Sequence, residues 1–139
     1  MARTWSPKLS INVPAIDAQH QELFKRADDL LGAMRDGKGA DEVKRLLGYL
    51  EQYVVTHFGA EERLMAARRY PELRAHHALH EEFKRQFQAI REQMQASSGG
   101  SAALLKLNTL IGTWLVQHIG TVDAKLGAFL QAQGNEVQL

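Results

Sequence analysis

The sequence predicts an all-α protein, an up-down-up-down four-helix bundle preceded by an N-terminal extended arm. Three observations support this fold class. Four long stretches place apolar residues every three or four positions, which is the spacing of one helix face. Prolines and glycines separate these stretches, so the connections between helices are short. The 139 residues suffice for one core and are too few for two, so we expect a single domain over residues 1–139.

The arm is expected over about residues 1–15, because Pro7 and Pro14 interrupt any helical period there. The first helix is predicted over about 17–36, with Asp17 as its N-cap. The apolar residues available for packing the arm against the bundle are Trp5, Leu9, Ile11 and Val13.

The other three helices follow from the same spacing. The second is predicted over about 41–67 and the third over about 71–96, with Pro71 in its first turn, where proline is tolerated. Residues 97–101 read Ser-Ser-Gly-Gly-Ser and predict a flexible connection. The fourth helix is predicted over about 102–132. Burial of the four apolar faces against one another would supply most of the stability.

Composition excludes several classes of function. A formal net charge of +1 gives no electrostatic reason to expect a nucleic-acid partner or an anionic membrane surface. No apolar run approaches the roughly 20 residues of a membrane span, and the N-terminus lacks the apolar run of a secretory signal. The chain has no cysteine, which excludes disulfides, thiolate zinc sites and iron–sulfur clusters. We expect a cytoplasmic monomer.

Two pairs of metal-binding side chains are spaced four residues apart. His57 with Glu61, and His76 with His80, therefore each share one helix face, and both faces are the apolar ones that point into the bundle. An ionised carboxylate at Glu61 would cost several kcal/mol without a positive partner. Lysines and arginines fall on outer faces or near helix ends, so a metal ion is the simplest partner.

The fourth helix offers His118 and Asp123, whose spacing of five residues corresponds to about 140° of rotation on a regular α-helix. Either the metal lies between the two side chains, or the helix widens locally into a π-type turn, a feature common at functional sites. Gly120 would ease such a distortion. The first helix adds His20 on its inward face.

A structural explanation competes with this interpretation. A single inward histidine is more often a hydrogen-bonded core residue than a metal ligand. Here, however, all four predicted helices present an inward histidine and two of them also present a carboxylate. His77 provides an internal comparison: it lies about 100° around the helix from His76, on the polar side, and should be a solvated surface residue.

Ligand chemistry restricts the choice of metal. Imidazole with carboxylate suits iron, zinc, copper or nickel. Seven ligands suit two ions, and if both carboxylates and one solvent oxygen bridge two six-coordinate ions, eleven of twelve positions are filled. The open position would bind a small molecule. The predicted metal ligands are His20, His57, Glu61, His76, His80, His118 and Asp123.

These residues, together with their neighbours, resemble the hemerythrin family, and in detail the bacterial single-domain hemerythrins. The resemblance covers nearly the whole chain and is carried by the following residues: Trp5, Ile16-Asp17-Ala18-Gln19-His20, Tyr53, His57-Phe58, Glu61-Glu62, Tyr70-Pro71, His76, His80, Trp114-Leu115, His118-Ile119 and Asp123.

The resemblance implies a non-haem centre of two iron ions (Fe2+/Fe3+) with a bridging oxo or hydroxo group. One iron would be held by His76, His80 and His118, and the other by His20 and His57. The two carboxylates, Glu61 and Asp123, would bridge the irons. The iron with two histidines would keep the open position and bind O2.

The resemblance also implies an O2 pocket lined by Phe58, Trp114, Leu115 and Ile119. Such a dry pocket would exclude water and anions that promote irreversible oxidation. Ordinary core packing explains the same four residues, and both roles can hold together. One position departs from the family: Leu126 stands where members usually carry a tyrosine, three residues after the bridging aspartate.

The function expected from the resemblance is reversible O2 binding without catalysis, for storage, transport or delivery to an oxygen-consuming enzyme. Two alternatives remain open: an oxygen, redox or iron sensor acting through a partner, and a di-iron enzyme that reduces peroxide or nitric oxide. A zinc or purely structural role is a further alternative. A visible absorption band that appears with O2 and disappears on its removal would distinguish simple O2 binding.

Overall fold

The computed structural model describes residues 5–97, 101–134, 137 and 139. The described residues form four long helices and no strand, which confirms the predicted all-α four-helix bundle. Two sequence expectations fall partly outside these residues, namely the first four residues of the arm and the centre of the 97–101 connection. The helices are α1 (Pro14–Arg35), α2 (Ala40–Ala67), α3 (Leu73–Ser97) and α4 (101–133).

Helix α1 begins three residues earlier than predicted. Val13 is its N-cap and Pro14 its first residue, a position where the missing N–H of proline costs nothing. The prediction of Asp17 as N-cap was wrong, because this residue lies inside the first turn. Its carboxylate instead accepts hydrogen bonds from the backbone N–H of Ile11, at 2.9 Å, and from the Ser10 hydroxyl. Asp17 therefore ties the arm to α1.

The arm runs from Trp5 along the bundle and contains one short 3-10 turn, Pro7–Leu9. Ile11 and Val13 are buried in the core. Gly127 of α4 lies so close to the arm that a Cβ placed on it would be 2.5 Å from the carbonyl oxygen of Ile11. The arm is thus packed backbone against helix at this point.

Helix α3 begins at Leu73, two residues later than predicted, because the chain needs a turn to reverse direction after α2. Arg69 adopts a left-handed conformation, with φ of 57°, and the N–H of Tyr70 binds the carbonyl of Met65 at 2.9 Å. This is the usual way a helix ends in a left-handed residue. Pro71 lies in the turn itself and not in the helix.

Helix α4 is not a regular α-helix throughout. Its ends, Ser101–Thr109 and Ala124–Gln133, are α-helical, whereas Leu110–Leu115 and His118–Asp123 are π-helical. In a π-helix each N–H binds the carbonyl five residues back, so residues five apart come close to one face. Of the two arrangements considered for His118 and Asp123, the structure has the widened turn.

The core runs the length of the bundle and contains side chains from all four helices. No helix formed by the described residues combines the length and apolar character that a membrane crossing requires. The largest fully buried side chains are Ile16, Leu23, Phe24, Leu30, Leu50, Phe58, Met65, Phe83, Leu107, Ile111, Leu115 and Ile119.

Candidate metal centre

The structure brings the seven predicted ligand side chains together in the bundle interior. Every one of them is at most 4% exposed, and each of the four helices contributes at least one. They are His20 from α1, His57 and Glu61 from α2, His76 and His80 from α3, and His118 and Asp123 from α4.

The two oxygens of the Glu61 carboxylate face different histidines. Oε1 lies 3.2 Å from Nε2 of His80 and 3.3 Å from Nε2 of His76. Oε2 lies 3.4 Å from Nε2 of His57 and 3.7 Å from Nε2 of His20. The carboxylate therefore stands between two groups of imidazoles.

Asp123 divides its oxygens in the same way. Oδ1 lies 3.0 Å from Nε2 of His76 and 3.2 Å from Nε2 of His118, whereas Oδ2 lies 3.1 Å from Nε2 of His20. Two subsites result, which we name by their imidazoles. The three-histidine subsite contains His76, His80 and His118, and the two-histidine subsite contains His20 and His57.

The donor atoms of each subsite suit a metal ion. Within each subsite, donor atoms of all the residues lie within 4.8 Å of one another. Metal bonds to imidazole nitrogen and carboxylate oxygen of about 2.0–2.2 Å would place neighbouring ligand atoms about 3 Å apart. The observed separations between nitrogen and oxygen, 3.0 to 3.7 Å, are close to that value.

Many buried polar atoms of this cluster lack a hydrogen-bond partner among the described residues. They include both carboxylate oxygens of Glu61, Oδ1 of Asp123 and Nε2 of four histidines. Buried polar atoms are rarely left unpaired, because each costs about 1–3 kcal/mol. Among the described residues the ion pairs of Glu61 and Asp123 are all with histidines of this cluster. Bound cations would satisfy all of these atoms.

Without a metal, protons hold the cluster together. Burial lowers the pKa of His20 and His76, but the nearby carboxylates of Asp123 and Glu61 outweigh burial and raise the pKa of both imidazoles to about 9. Burial would raise the pKa of Glu61, yet the surrounding histidines bring it well below its ordinary value. For Asp123, burial and the neighbouring Glu61 charge are likewise outweighed by the close imidazoles of His118, His20 and His76, and its pKa is lowered. A metal must therefore displace protons to bind.

Two residues that the sequence analysis named only as part of the resemblance, with no role assigned, support the imidazoles from outside. The Nδ1–H of His57 donates to Oε1 of Gln19 at 2.6 Å, and the Nδ1–H of His80 donates to Oε2 of Glu62 at 2.8 Å. Each donation leaves Nε2 free to face the subsite. Gln19 and Glu62 each adjoin a predicted ligand in sequence, but this adjacency does not indicate which imidazole they bind.

His77 lies outside the cluster, on the surface. It is 50% exposed, and its Nδ1 lies 3.0 Å from Oε1 of Glu62. The structure therefore places His77 on the surface and His76 in the cluster, as predicted. His77 also forms an ion pair with the Glu62 carboxylate.

Aromatic rings cover the three-histidine subsite. Phe58 stacks on His80 with ring centroids 3.8 Å apart, and Trp114 stacks on His118 with centroids 4.8 Å apart. The other two residues predicted for the O2 pocket, Leu115 and Ile119, are buried in the core. The position that departs from the family pattern, Leu126, is also fully buried.

Comparison with known proteins agrees with this geometry. The family model described as "Hemerythrin HHE cation binding domain" matches residues 12–130. A bacteriohemerythrin of Pseudomonas aeruginosa is 32% identical over 120 residues, covering 86% of this chain and 76% of that protein. A bacteriohemerythrin of Stenotrophomonas maltophilia is 29% identical, covering 95% and 84% of the two chains. Myohemerythrin-1 of Phascolopsis gouldii is 29% identical, covering 87% and 88%. The sequence resemblance is thus confirmed, and the chain belongs to the hemerythrin family.

Proposed function

We propose that this chain binds O2 reversibly at a non-haem di-iron centre held by the seven clustered side chains. Membership of the hemerythrin family implies iron binding and an oxygen-related function. Reversible binding, for storage, transport or delivery to an oxygen-consuming enzyme, is the specific function that the arrangement of the site supports best.

One observation carries the proposal: the two carboxylates lie between subsites that contain unequal numbers of imidazoles. Each carboxylate directs one oxygen toward imidazoles of the three-histidine subsite and its other oxygen toward the two-histidine subsite. An iron ion held by His20 and His57 would then have one protein ligand fewer than an iron ion held by His76, His80 and His118. The two-histidine subsite would therefore have more room for O2, and the two irons would supply the electrons for binding it.

The proposed pocket favours binding over turnover. Phe58, Trp114, Leu115 and Ile119 carry no group that titrates near neutral pH, and Leu126 adds none. Reduction of peroxide or nitric oxide requires protons to be delivered to the reacting oxygen, which a general acid would do. An apolar wall instead excludes water, and this protects a reversible complex.

The test is an oxygen cycle on the iron-loaded protein. The protein is first reduced anaerobically and its iron content measured, with two irons per chain expected. Air should then produce a visible charge-transfer band, and argon should remove it over repeated cycles. Irreversible oxidation in the first exposure, with no such band, would reject reversible binding.

Three further parts of the proposal concern the protein's setting. We propose that it acts as a monomer in the cytoplasm and passes O2 to an oxygen-consuming enzyme. The absence of cysteine suits a reducing compartment. Light scattering on the iron-loaded protein tests the monomer, with a mass twice the 15.6 kDa of the chain as the contrary result.

A further inference from the structure

Each metal subsite has one imidazole whose Nδ1 atom, the ring nitrogen that faces away from the subsite, is hydrogen-bonded. In the two-histidine subsite this is His57, held by Gln19, and in the three-histidine subsite it is His80, held by Glu62. The Nδ1 atoms of the other three histidines are buried and have no hydrogen-bond partner among the described residues. The outer support of the cluster therefore depends on two side chains.

These two supports connect different helices. Gln19 precedes a ligand of α1 in sequence but holds a ligand of α2, and Glu62 follows a ligand of α2 but holds a ligand of α3. Each bond fixes an imidazole ring against the neighbouring helix. The two hydrogen bonds are of similar length, 2.6 and 2.8 Å.

The supports differ in charge. Gln19 offers a neutral amide oxygen, whereas Glu62 offers a carboxylate. The second oxygen of Glu62 is also fixed, because it lies 3.0 Å from Nδ1 of His77. Glu62 is only 23% exposed, so water screens its charge less than that of a fully exposed residue. A carboxylate on the outer nitrogen makes an imidazole a stronger donor to a metal and stabilises positive charge there.

We propose that Glu62 is a positioning residue that makes the two metal subsites electronically unequal. Its charge, acting through His80, strengthens metal binding and favours the ferric state at the three-histidine subsite. Gln19 gives His57 the same hydrogen bond without the charge. This inference rests on the proposed di-iron site. The two subsites would then differ in the charge of the supporting side chain as well as in the number of histidine ligands.

Exchange of the two side chains tests the inference. Glu62→Gln keeps an oxygen that accepts from His80 and removes the charge, while Gln19→Glu adds a charge at His57. Glu42→Gln is the matched control, since it removes one carboxylate from the exposed first turn of α2, 19 residues or about 28 Å of helix away from Glu61. Two quantities are measured: the two stepwise Zn2+ dissociation constants of the metal-free protein, and the reduction potential of the iron-loaded protein.

We expect Glu62→Gln to weaken one of the two Zn2+ equivalents about 10- to 100-fold. It should also raise the reduction potential, because the ferric state loses a nearby negative charge. Gln19→Glu should tighten the weaker equivalent and lower the potential. Glu42→Gln should match the parent in both measurements.

Equal values for Glu62→Gln and Glu42→Gln would overturn the inference while leaving the di-iron site intact. Failure of the parent protein to bind two metal ions would overturn both this inference and the proposed function, so the two failures are distinguishable. Thermal unfolding of the metal-free variants shows whether they are folded. If Glu62→Gln does not fold, Gln19→Glu decides alone, and an unchanged potential in that variant would reject the inference.

Discussion

The rings of Phe58 and His80 lie face to face, with centroids 3.8 Å apart and planes within 2° of parallel. Phe58 is itself held by Phe83, which packs against it edge-on at 5.6 Å and 84°. Phe58 also directly follows His57 in the sequence. One side chain therefore covers a predicted ligand of one subsite and adjoins a ligand of the other.

Phe58→Ala should destabilise the bundle and shorten the life of the O2 complex. Loss of a buried phenylalanine side chain costs about 3–5 kcal/mol. It would also open space beside His80, where water could reach the centre and promote irreversible oxidation. Denaturant unfolding measures the first effect, and the rate at which the visible band decays in air measures the second.

Phe87→Ala is the matched control for this prediction. Phe87 is 3% exposed and lies seven residues beyond His80 on α3, so it shares the burial of Phe58 but not its contact with a ligand. The control should lose similar stability with an unchanged oxidation rate. Faster oxidation in both variants would mean that lower stability, and not the lost stacking, exposes the centre.

Glu61→Ala should remove most of the bound metal, whereas His77→Ala should leave the iron content unchanged. Glu61 offers an oxygen to each subsite, so its loss removes a ligand from both. His77 is half exposed and contacts the cluster only through Glu62. Metal analysis after anaerobic reconstitution measures both. An equal loss in the two variants would contradict the assignment of His77 to the surface.

Removal of metal should make the stability of the bundle depend on pH. Burial lowers the pKa of His20 and His76, but the nearby carboxylates of Asp123 and Glu61 outweigh it and raise both pKa values from 6.5 to about 9. A raised folded-state pKa contributes stability that is complete below pH 6.5 and is lost as the pH rises through about 9. The melting temperature of the metal-free protein should therefore fall over this range.

Metal-loaded protein should show a shallower slope between the same pH values, because bound imidazoles are neutral ligands that carry no proton to lose. Scanning calorimetry of both forms in matched buffers makes the comparison. Parallel slopes would show that the pH dependence arises outside the cluster.

Local spacing explains why the sequence predicted so much of the candidate site. The pairs His57 with Glu61 and His76 with His80 need only the regular α-helix to share a face. For His118 and Asp123 the same rule left two arrangements, since a helix reveals its π-turns only when backbone hydrogen bonds are known. The other π-helical segment, Leu110–Leu115, contains no pair of metal-binding residues whose spacing would indicate it, and it was not predicted.

Local spacing also could not predict contacts between helices. Gln19 holds an imidazole 38 residues away, and its role depends on how α1 and α2 lie against each other. Asp17 has the residue type of an N-cap and stands at the start of a helix. Its carboxylate instead binds Ile11 and Ser10, because the helix begins earlier, at Pro14.

The close approach of the arm to α4 gives the last prediction. Gly127→Ala should destabilise the protein by about 1–3 kcal/mol, the usual cost of forcing a methyl group into a well-packed site. The new Cβ would lie 2.5 Å from the carbonyl oxygen of Ile11, and that atom belongs to the backbone, so relief requires the arm to move. Chemical denaturation measures the loss of stability.

Gly48→Ala is the control, and its expected effect on stability has the opposite sign. Gly48 lies within α2 and has no atom within 4 Å of a built Cβ, so alanine there should stabilise the helix by up to about 1 kcal/mol. A Gly127→Ala variant as stable as the parent would show that the arm is not held against α4. If the arm does move, protease cleavage near Asn12 should become faster in Gly127→Ala and stay unchanged in Gly48→Ala, because only the first change releases the segment from the bundle.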